Sequence, residues 1–536
     1  MRQSLLRGFL LILLCLPLIA PFLNKGYPKT QDGIWAVIRL VEMRREIKDL
    51  QFPPRWSGFL NHGYGYPLFL FTYPFPYYVG QLLYLPGISA ETAIKILFIL
   101  TTVLSGLTMY LFAKNLWGIN SALLSTTLYL YAPYRLTNLF TRGSLGELFA
   151  FIFYPLLFFL FKKLIEKPAI NKGLVTSIVL SGLILSHNAS VVLFLPFLGL
   201  WIVYLLFQNQ PNVRKNIKLI ISTFLLAFLL SAYFWLPAIL DKKYIILGWL
   251  PLADKSLHFL PWSVLFGNSL HIVSGLLLKI GLIHLIIVLV SLISVFVSFF
   301  KKQRILVVFF LLMFVISIFL TQPQSLFLWK LPIFKEIDFP WRILGISTFL
   351  ISVIGGSLVN FKKGYFLAIP LIILVVMFNI SQIKTEYVNN DPSFYDTNDA
   401  STTSNDELMP IWVKNKPKNR YTEKIEIPLN NGNYKILTDK SNILTFEVDL
   451  KENSLVKINT LYFFPLWQAF EDNIKIPIFP EENTGRMMLN LNSGKHNIRI
   501  DFFKGASNEN IANILSIVGV ICFISIWVYS KKYYRG

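Results

Sequence analysis

Apolar residues along this chain fall into runs long enough to cross a bilayer core as helix, roughly 17–25 residues each. The first, Leu5 to Leu23, follows Arg2 and Arg7. It lacks a small-residue cleavage site and reads as an uncleaved first helix entering from the cytoplasm. Further runs lie at about 90–112, 119–134, 144–161, 173–187, 189–207, 217–240, 275–300, 304–321, 341–360, 365–383 and 510–529, which predicts about twelve spans. Phe69 to Leu85 is apolar too, but Pro74 and Pro76 break it, and lipid tolerates no unsatisfied backbone. It therefore reads as an interfacial or re-entrant piece.

Loop charges order these spans. Lys162, Lys163, Lys167 and Lys172 fall in one loop, and Arg214, Lys215 and Lys218 in another. Lys301, Lys302 and Arg304, then Lys362 and Lys363, then Lys531, Lys532 and Arg535 complete the set. With Phe69–Leu85 not spanning, all of them share the side of the N-terminus, as the positive-inside tendency asks. Both termini are then cytoplasmic in a multi-pass cell (inner) membrane protein. The outer side receives the first loop, Pro133–Gly143, Ser186–Ser190, Asp241–Ser274, Thr321–Pro340 and the polar region from about Lys384 to Asn508.

Two outer regions have patterns of their own. Between Ile34 and Leu50, apolar Ile34, Val37, Ile38, Val41, Ile47 and Leu50 oppose Arg39, Glu42, Arg44, Arg45, Glu46 and Lys48. That spacing predicts an amphipathic helix suited to a membrane surface, with Asp32 placed to cap it. After Lys384 comes a linker rich in Asn, Asp, Ser and Thr, and then alternating runs such as ILTFEVDL and HNIRIDFF separated by Asn431-Gly432 and Ser493-Gly494. Period-two runs with such turns predict a small antiparallel β-sandwich. The division is a transmembrane core over 1–383 with its first outer loop at 24–67, an outer linker and sandwich over 384–508, and a last helix with a basic tail over 509–536.

Composition agrees. The chain has 536 residues, 54% hydrophobic and 15% charged, with a net charge of +21; a soluble protein carries about 25% charged residues. The excess of positive charge sits in short clusters between apolar runs, with no long basic face, which excludes nucleic acid as a partner. Cys15 and Cys522 lie in apolar segments near opposite ends, so no disulfide framework or cysteine metal site is predicted. The phosphate-loop, HExxH, GxSxG and dinucleotide signatures are all missing.

The chemistry-bearing residues gather at outer helix ends. Asp32 is the leading one: a carboxylate there could act as general base, help hold a divalent cation beside a diphosphate, or simply cap the helix. No second acid stands beside it in a DxD arrangement. Arg55, His62 and Tyr64, in the Pro- and Gly-rich remainder of the loop, are candidate substrate contacts. Arg135 and Arg142 could clamp a phosphate, or snorkel to the interface. Glu147 lies in an apolar helix, where an unpaired acid is costly; an ion pair with Arg142 or a functional role would each explain it. His187 ends one span, and a hydrogen-bonded structural role is the commoner fate of such a residue. Asp338 and Arg342 flank the start of another span.

As a set, these stretches resemble a known group. The first loop with FPPRW and GYGYP, then APYRLTNLFTRGSLGE, LSHN, YFWLPA and DFPWR, look like bacterial multi-pass membrane proteins labelled "6-pyruvoyl-tetrahydropterin synthase-related". The tail FFPLWQAFEDNIKIPIFPEENTGRMMLNLNSGKHNIRIDFF with its last helix is similar to YfhO-type proteins. Both groups look like members of the GT-C glycosyltransferase superfamily. The resemblance implies an all-α GT-C-like core with an outer β-sandwich. It implies a transferase that takes sugar from a polyprenyl-phosphate donor to an envelope glycan, lipid or protein. It makes Asp32 the catalytic base, with a divalent cation (magnesium or manganese) as the cofactor to test for. The paired acids common in that loop are here reduced to one. Two other classes compete: a flippase of lipid-linked saccharides, which should keep polar groups at mid-membrane between symmetric halves, and a non-catalytic scaffold of envelope assembly.

Overall fold

Every apolar segment read from the sequence holds a helix in the computed structural model, which describes residues 2–209, 213–267, 269–296, 304–361, 363–397, 401–502 and 507–533. The helices are α1 (Arg2–Leu23), α2 (Gly33–Lys48), α3 (Leu68–Phe71), α4 (Phe75–Tyr84), α5 (Ala90–Trp117), α6 (Ile119–Leu130) and α7 (Pro133–Leu136). A π-helical turn, Thr137–Arg142, leads into α8 (Leu145–Glu166), α9 (Ile170–Ile184), α10 (Asn188–Gln208), α11 (Val213–Leu230) and α12 (Ala232–Leu240). Then come α13 (Trp262–Phe266), α14 (Leu282–Phe296), α15 (Arg304–Phe319), α16 (Leu344–Ser357), α17 (Tyr365–Asn379), α18 (Pro392–Thr397) and α19 (Ser507–Tyr533).

The span count falls short of the expected twelve. Among the described residues five helices are long and apolar enough to cross a membrane, and α11 with α12, bent by 73°, makes a sixth if taken as one. The physical reason is length. At 1.5 Å per residue, helices of 12–16 residues such as α6, α9, α15 and α16 reach only ~18–24 Å of a core about 30 Å thick. Phe69–Leu85 divides into α3 and α4, the longer of 10 residues. Of the charge clusters, Lys301, Lys302, Lys362 and Arg535 lie outside the described residues.

The bundle is centred on α5 and α8, which pack on each other. In their apolar windows 61% and 72% of residues are buried, against 17% and 11% for the segments of α17 and α19 at the rim. Aromatic packing fills the centre: Phe158 of α8 stacks on Trp201 of α10 at 5.5 Å and meets Phe349 of α16 edge-on at 4.8 Å. Such pairs contribute beyond their buried area.

The C-terminal region is two antiparallel sheets. One runs β3–β6–β10–β9, from β3 (Ile425–Glu426), β6 (Ser454–Tyr462), β9 (Phe479–Pro480) and β10 (Arg486–Leu491). The other runs β4–β5–β11–β7–β8, from β4 (Gly432–Lys440), β5 (Ile443–Leu450), β7 (Trp467–Glu471), β8 (Ile474–Ile476) and β11 (Gly494–Phe502). Leu444, Phe446, Val448 and Leu450 alternate inward on β5 and share one buried cluster with Val456, Ile458, Met487 and Leu489 of the other sheet. This is the period-two pattern resolved as a sandwich.

The first loop packs against this sandwich, which covers much of the polar side of α2. Trp56 meets Trp467 edge-on at 5.4 Å, the Ser441 N–H donates to Asp49 Oδ2 at 2.7 Å, and the Tyr462 N–H donates to Tyr64 O at 3.2 Å. Glu42 is 1% exposed and pairs with Arg45 at 2.6 Å; Glu46 is fully buried and accepts from Ser57 at 2.5 Å. Burial holds the Glu46 carboxyl well above the usual carboxylate range, with Glu42 and Asp49 adding to the shift. The linker straps the same helix from above. Strand β1 (Tyr27–Pro28) pairs with β2 (Tyr387–Val388), and Arg39 holds Thr402 through its hydroxyl, at 3.2 Å, and through its carbonyl.

Candidate functional site

The turn after α7 builds the site. Tyr134, Asn138 and Arg142 recur every four residues, and the wide π-helical turn keeps them on one side. Gly143, at φ +66°, ends the turn. There it packs against Thr30 and the Gly33 nitrogen, leaving no room for a Cβ. Two backbone bonds then fix the first loop on this turn: Gln31 N–H to Thr141 O at 3.0 Å and Asp32 N–H to Arg142 O at 2.7 Å.

Asp32 is not a helix cap in this arrangement. The Gly33 N–H donates to Thr30 Oγ1 at 3.1 Å instead, and the Asp32 side chain makes no capping bond. Its carboxylate lies 4.0 Å from Arg142, with the side chain 35% exposed. Arg142 is otherwise committed. It donates to Glu147 at 2.7 Å and to the Asn138 side-chain Oδ1, and its guanidinium lies 4.9 Å over the Trp341 ring. Glu147, 1% exposed, also accepts from Tyr134 at 2.5 Å and Asn138 at 3.2 Å. Burial opposes the Arg142 charge, but Glu147, Tyr134 and Asp32 together hold that guanidinium above its ordinary range. The ion pair with Arg142 is thus the fate of Glu147, and Asp32 is left as the open acid.

Arg342 completes the group. Its guanidinium lies 5.1 Å from the Phe339 ring and 5.8 Å from the Trp341 ring. Among the described residues it makes no hydrogen bond, and its buried Nε has no partner. Burial and Arg142 oppose its charge, and Glu147, Asp32 and Asp338 are acids within its field.

His187 caps α10: its Nδ1 accepts from the Ser190 N–H at 3.3 Å, and Tyr73 meets its ring edge at 5.3 Å. Burial, then Arg342, pushes the imidazole down to about 3 from an ordinary 6.5. A folded value below the unfolded one means that the folded protein binds fewer protons. The stability tied to neutral His187 is therefore complete above about 6.5 and is lost as pH falls toward 3. His187→Gln should lower Tm near pH 8, where the neutral cap is lost, and flatten the acid limb of a plot of Tm against pH; an unaltered acid limb would count against this assignment.

Five expected site residues lie elsewhere. Arg135 is buried in the bundle, donating to Ser105 Oγ at 2.8 Å and Leu130 O at 3.2 Å. The seven-residue spacing that would align it with Arg142 in an α-helix is lost in the π-helical turn. Arg55, 2% exposed, donates to Asn513 Oδ1 of α19 at 2.9 Å, in the fields of Glu509 and Asp241. Tyr64 belongs to the joint with the sandwich, where it stacks on Tyr462 at 5.1 Å, and His62 is half-buried in the turn before it. Asp338 is a loop anchor, its Oδ2 accepting from the Leu252 N–H at 3.0 Å.

Tyr134, Asn138, Trp341 and Tyr73 were not singled out from the sequence. The four-residue repeat Tyr134-Asn138-Arg142 was the available signal for two of them. Among the described residues no three His, Cys, Asp or Glu side chains gather as a metal-ligand set.

No family model matches the chain, so the YfhO-like resemblance gains no support there. An uncharacterized protein of Lactococcus lactis subsp. cremoris is 25% identical over 245 residues, which cover 44% of this chain and 40% of that protein. The chain thus aligns with less than half the length of this curated relative. Two crystal structures of the Archaeoglobus fulgidus oligosaccharyltransferase are similar at 12% identity. One, tethered with an acceptor peptide containing the NVT sequon, has a TM-score of 0.39 with 74% of this chain and 55% of that chain covered. The other, a complex with Zn and sulfate, has a TM-score of 0.41 with 75% and 58% covered. Likenesses of that size decide nothing about donor, acceptor or mechanism.

Proposed function

We propose that this chain is a membrane glycosyltransferase that moves a sugar from a polyprenyl-phosphate donor to an envelope glycan, lipid or protein on the extracytoplasmic face. The observation that carries this reading is the contrast within one cluster. Arg142 and Glu147 satisfy each other, while Asp32 stays open and Arg342 lacks a hydrogen-bond partner among the described residues. An open carboxylate in the same cluster as a guanidinium without a hydrogen-bond partner among the described residues matches a transfer in which one group takes a proton and the other receives a leaving phosphate. In this mechanism Asp32 accepts the proton of the acceptor nucleophile as it attacks the anomeric carbon. The bond from that carbon to the phosphate oxygen breaks, and the lipid phosphate leaves with the electron pair toward Arg342. Arg142 acts through position, holding Asp32 by its carbonyl and its charge.

Charge-assisted hydrogen bonds contribute about 1.5–3 kcal/mol, so Arg342→Ala should weaken donor binding roughly tenfold to a hundredfold. Arg342→Lys should rescue it poorly, because an ammonium cannot bind phosphate in bidentate fashion. Arg135→Ala should leave donor affinity alone in protein that remains folded. Titration of a polyprenyl-phosphate sugar against each variant tests this; equal affinities for Arg342→Ala and wild type would remove Arg342 from the donor site.

The outward orientation is also proposed, on the loop charges. Asn431 is a poor probe, since its side chain bonds Glu452 O and Ser454. Leu429, 95% exposed, is a better one. In a background without Cys15 and Cys522, Leu429→Cys should react with an impermeant thiol reagent on intact cells, with any outer membrane permeabilised. Reaction only after lysis would place the sandwich inside.

A further inference from the structure

The segment between α12 and α14 carries an apolar outer face on a fixed base. From Ser256 to Leu278 it has no Asp, Glu, Lys or Arg. Yet its α-helix among the described residues is the five-residue α13. Large apolar side chains are left uncovered: Ile272 is 92% exposed, Trp249 70%, Leu250 64%, Leu270 57% and Trp262 54%. Ile272 and Val273 form the tip of a tight turn closed by the His271 N–H to Leu276 O and the Gly275 N–H to His271 O, both 2.8 Å.

The underside is tied down. Lys255 Nζ donates to the carbonyls of Trp329, Phe334 and Lys335 at 3.0–3.2 Å, and Thr137 Oγ1 donates to Leu277 O at 2.9 Å. Phe259, Leu260, Val264 and Leu265 are buried. This is a rigid platform with apolar side chains aimed away from the protein, and exposing such surface to water costs about 25 cal/mol per Å².

Two observations identify what covers it. The apolar face continues onto the flanking helices, where Ile239 of α12 is 66% exposed and Leu282 of α14 57% exposed. Its rim is richer in exposed lysines, Lys243, Lys330 and Lys335, than in exposed acids, Asp254 and Glu336. Trp with Lys at the edge of an apolar face is the pattern of the membrane interface, and lysines there favour anionic headgroups. We propose that the exposed side chains Trp249, Leu250, Trp262, Leu270, Ile272 and Val273 insert into the headgroup region of the outer leaflet and that these lysines engage anionic lipid. Asp338 bonds the platform, and the His258 ring meets Phe339 at 4.7 Å. The insertion therefore sets the depth of neighbouring Arg342, and it does not depend on the sugar-transfer reading.

The test uses the full chain without Cys15 and Cys522, carrying a nitroxide at Ile272→Cys or, as an aqueous control, at Leu429→Cys. It is reconstituted in phosphatidylcholine vesicles with or without phosphatidylglycerol. The label at 272 should collide more with dissolved oxygen and less with a water-soluble nickel chelate than the label at 429. It should also lie deeper when phosphatidylglycerol is present. Equal chelate access at 272 and 429 overturns the insertion. Equal depth in both vesicles overturns the part given to the lysines. A label at 272 that stays wet in dilute vesicles and is immobilised only when copies are crowded assigns the face to a second copy instead.

Discussion

Asp32→Asn should fold, bind donor and lose most of its turnover. General-base contributions run at about 10²–10⁴-fold, and Asn keeps the size of the side chain while losing the ability to take a proton. Folding should survive because none of the elements that place this residue uses its carboxylate: the Asp32 N–H on Arg142 O, the Gly33 N–H on Thr30 Oγ1, and Gly143 packed against Thr30 and Gly33. A carboxylate 35% exposed is also cheap to neutralise. The measurement is turnover at saturating donor, together with donor affinity and Tm. Near-normal turnover in Asp32→Asn would take the residue out of the mechanism.

Glu147→Gln should have the larger effect on stability. Glu147 and Arg142 are 2% and 6% exposed at the side chain, and breaking a buried pair by removing one partner costs about 3–5 kcal/mol, because the other charge stays behind. The Gln amide oxygen can still accept from Tyr134 and Asn138, which share one oxygen of Glu147, but its NH2 then faces the Arg142 guanidinium, donor against donor. Arg142, released, would turn to the acid 4.0 Å away, and Asp32 paired in that way is a weaker base. So Tm and turnover should fall together in Glu147→Gln. Adding Arg142→Leu should recover much of the Tm but not the turnover, since the stranded charge is gone and the positioning residue with it. A Glu147→Gln protein that melts with the wild type would refute the ion-pair account of the site.

How far the sequence reaches depends on the range of the interaction. Apolar runs and alternation are local, so the helices and the sandwich could be read directly. The exposure of α2 could not. The residues that bury Glu42 and Glu46 and take up Arg39 come from the loop at Ser57 and from Thr402, hundreds of positions later. Asp32, Arg142, Glu147, His187 and Arg342 could be named because charged or imidazole groups at the ends of apolar helices need a reason. Their grouping rests on a π-helical turn, which no local pattern announced, and the same turn sends Arg135 into the bundle. Arg55, His62 and Tyr64 looked like active-site residues because rigid aromatic loops serve both active sites and domain joints. Only the placement of the sandwich separates the two uses.

Incubating the purified protein in lipid vesicles with a panel of polyprenyl-phosphate sugars, and following release of the polyprenyl phosphate, decides whether this is a transferase. The expected result is that wild type consumes at least one donor, with an acceptor or water, and that Asp32→Asn binds the same donor without consuming it. Donor that binds but is never cleaved by wild type, or is carried intact across the vesicle membrane, would contradict sugar transfer and favour a carrier of lipid-linked saccharides.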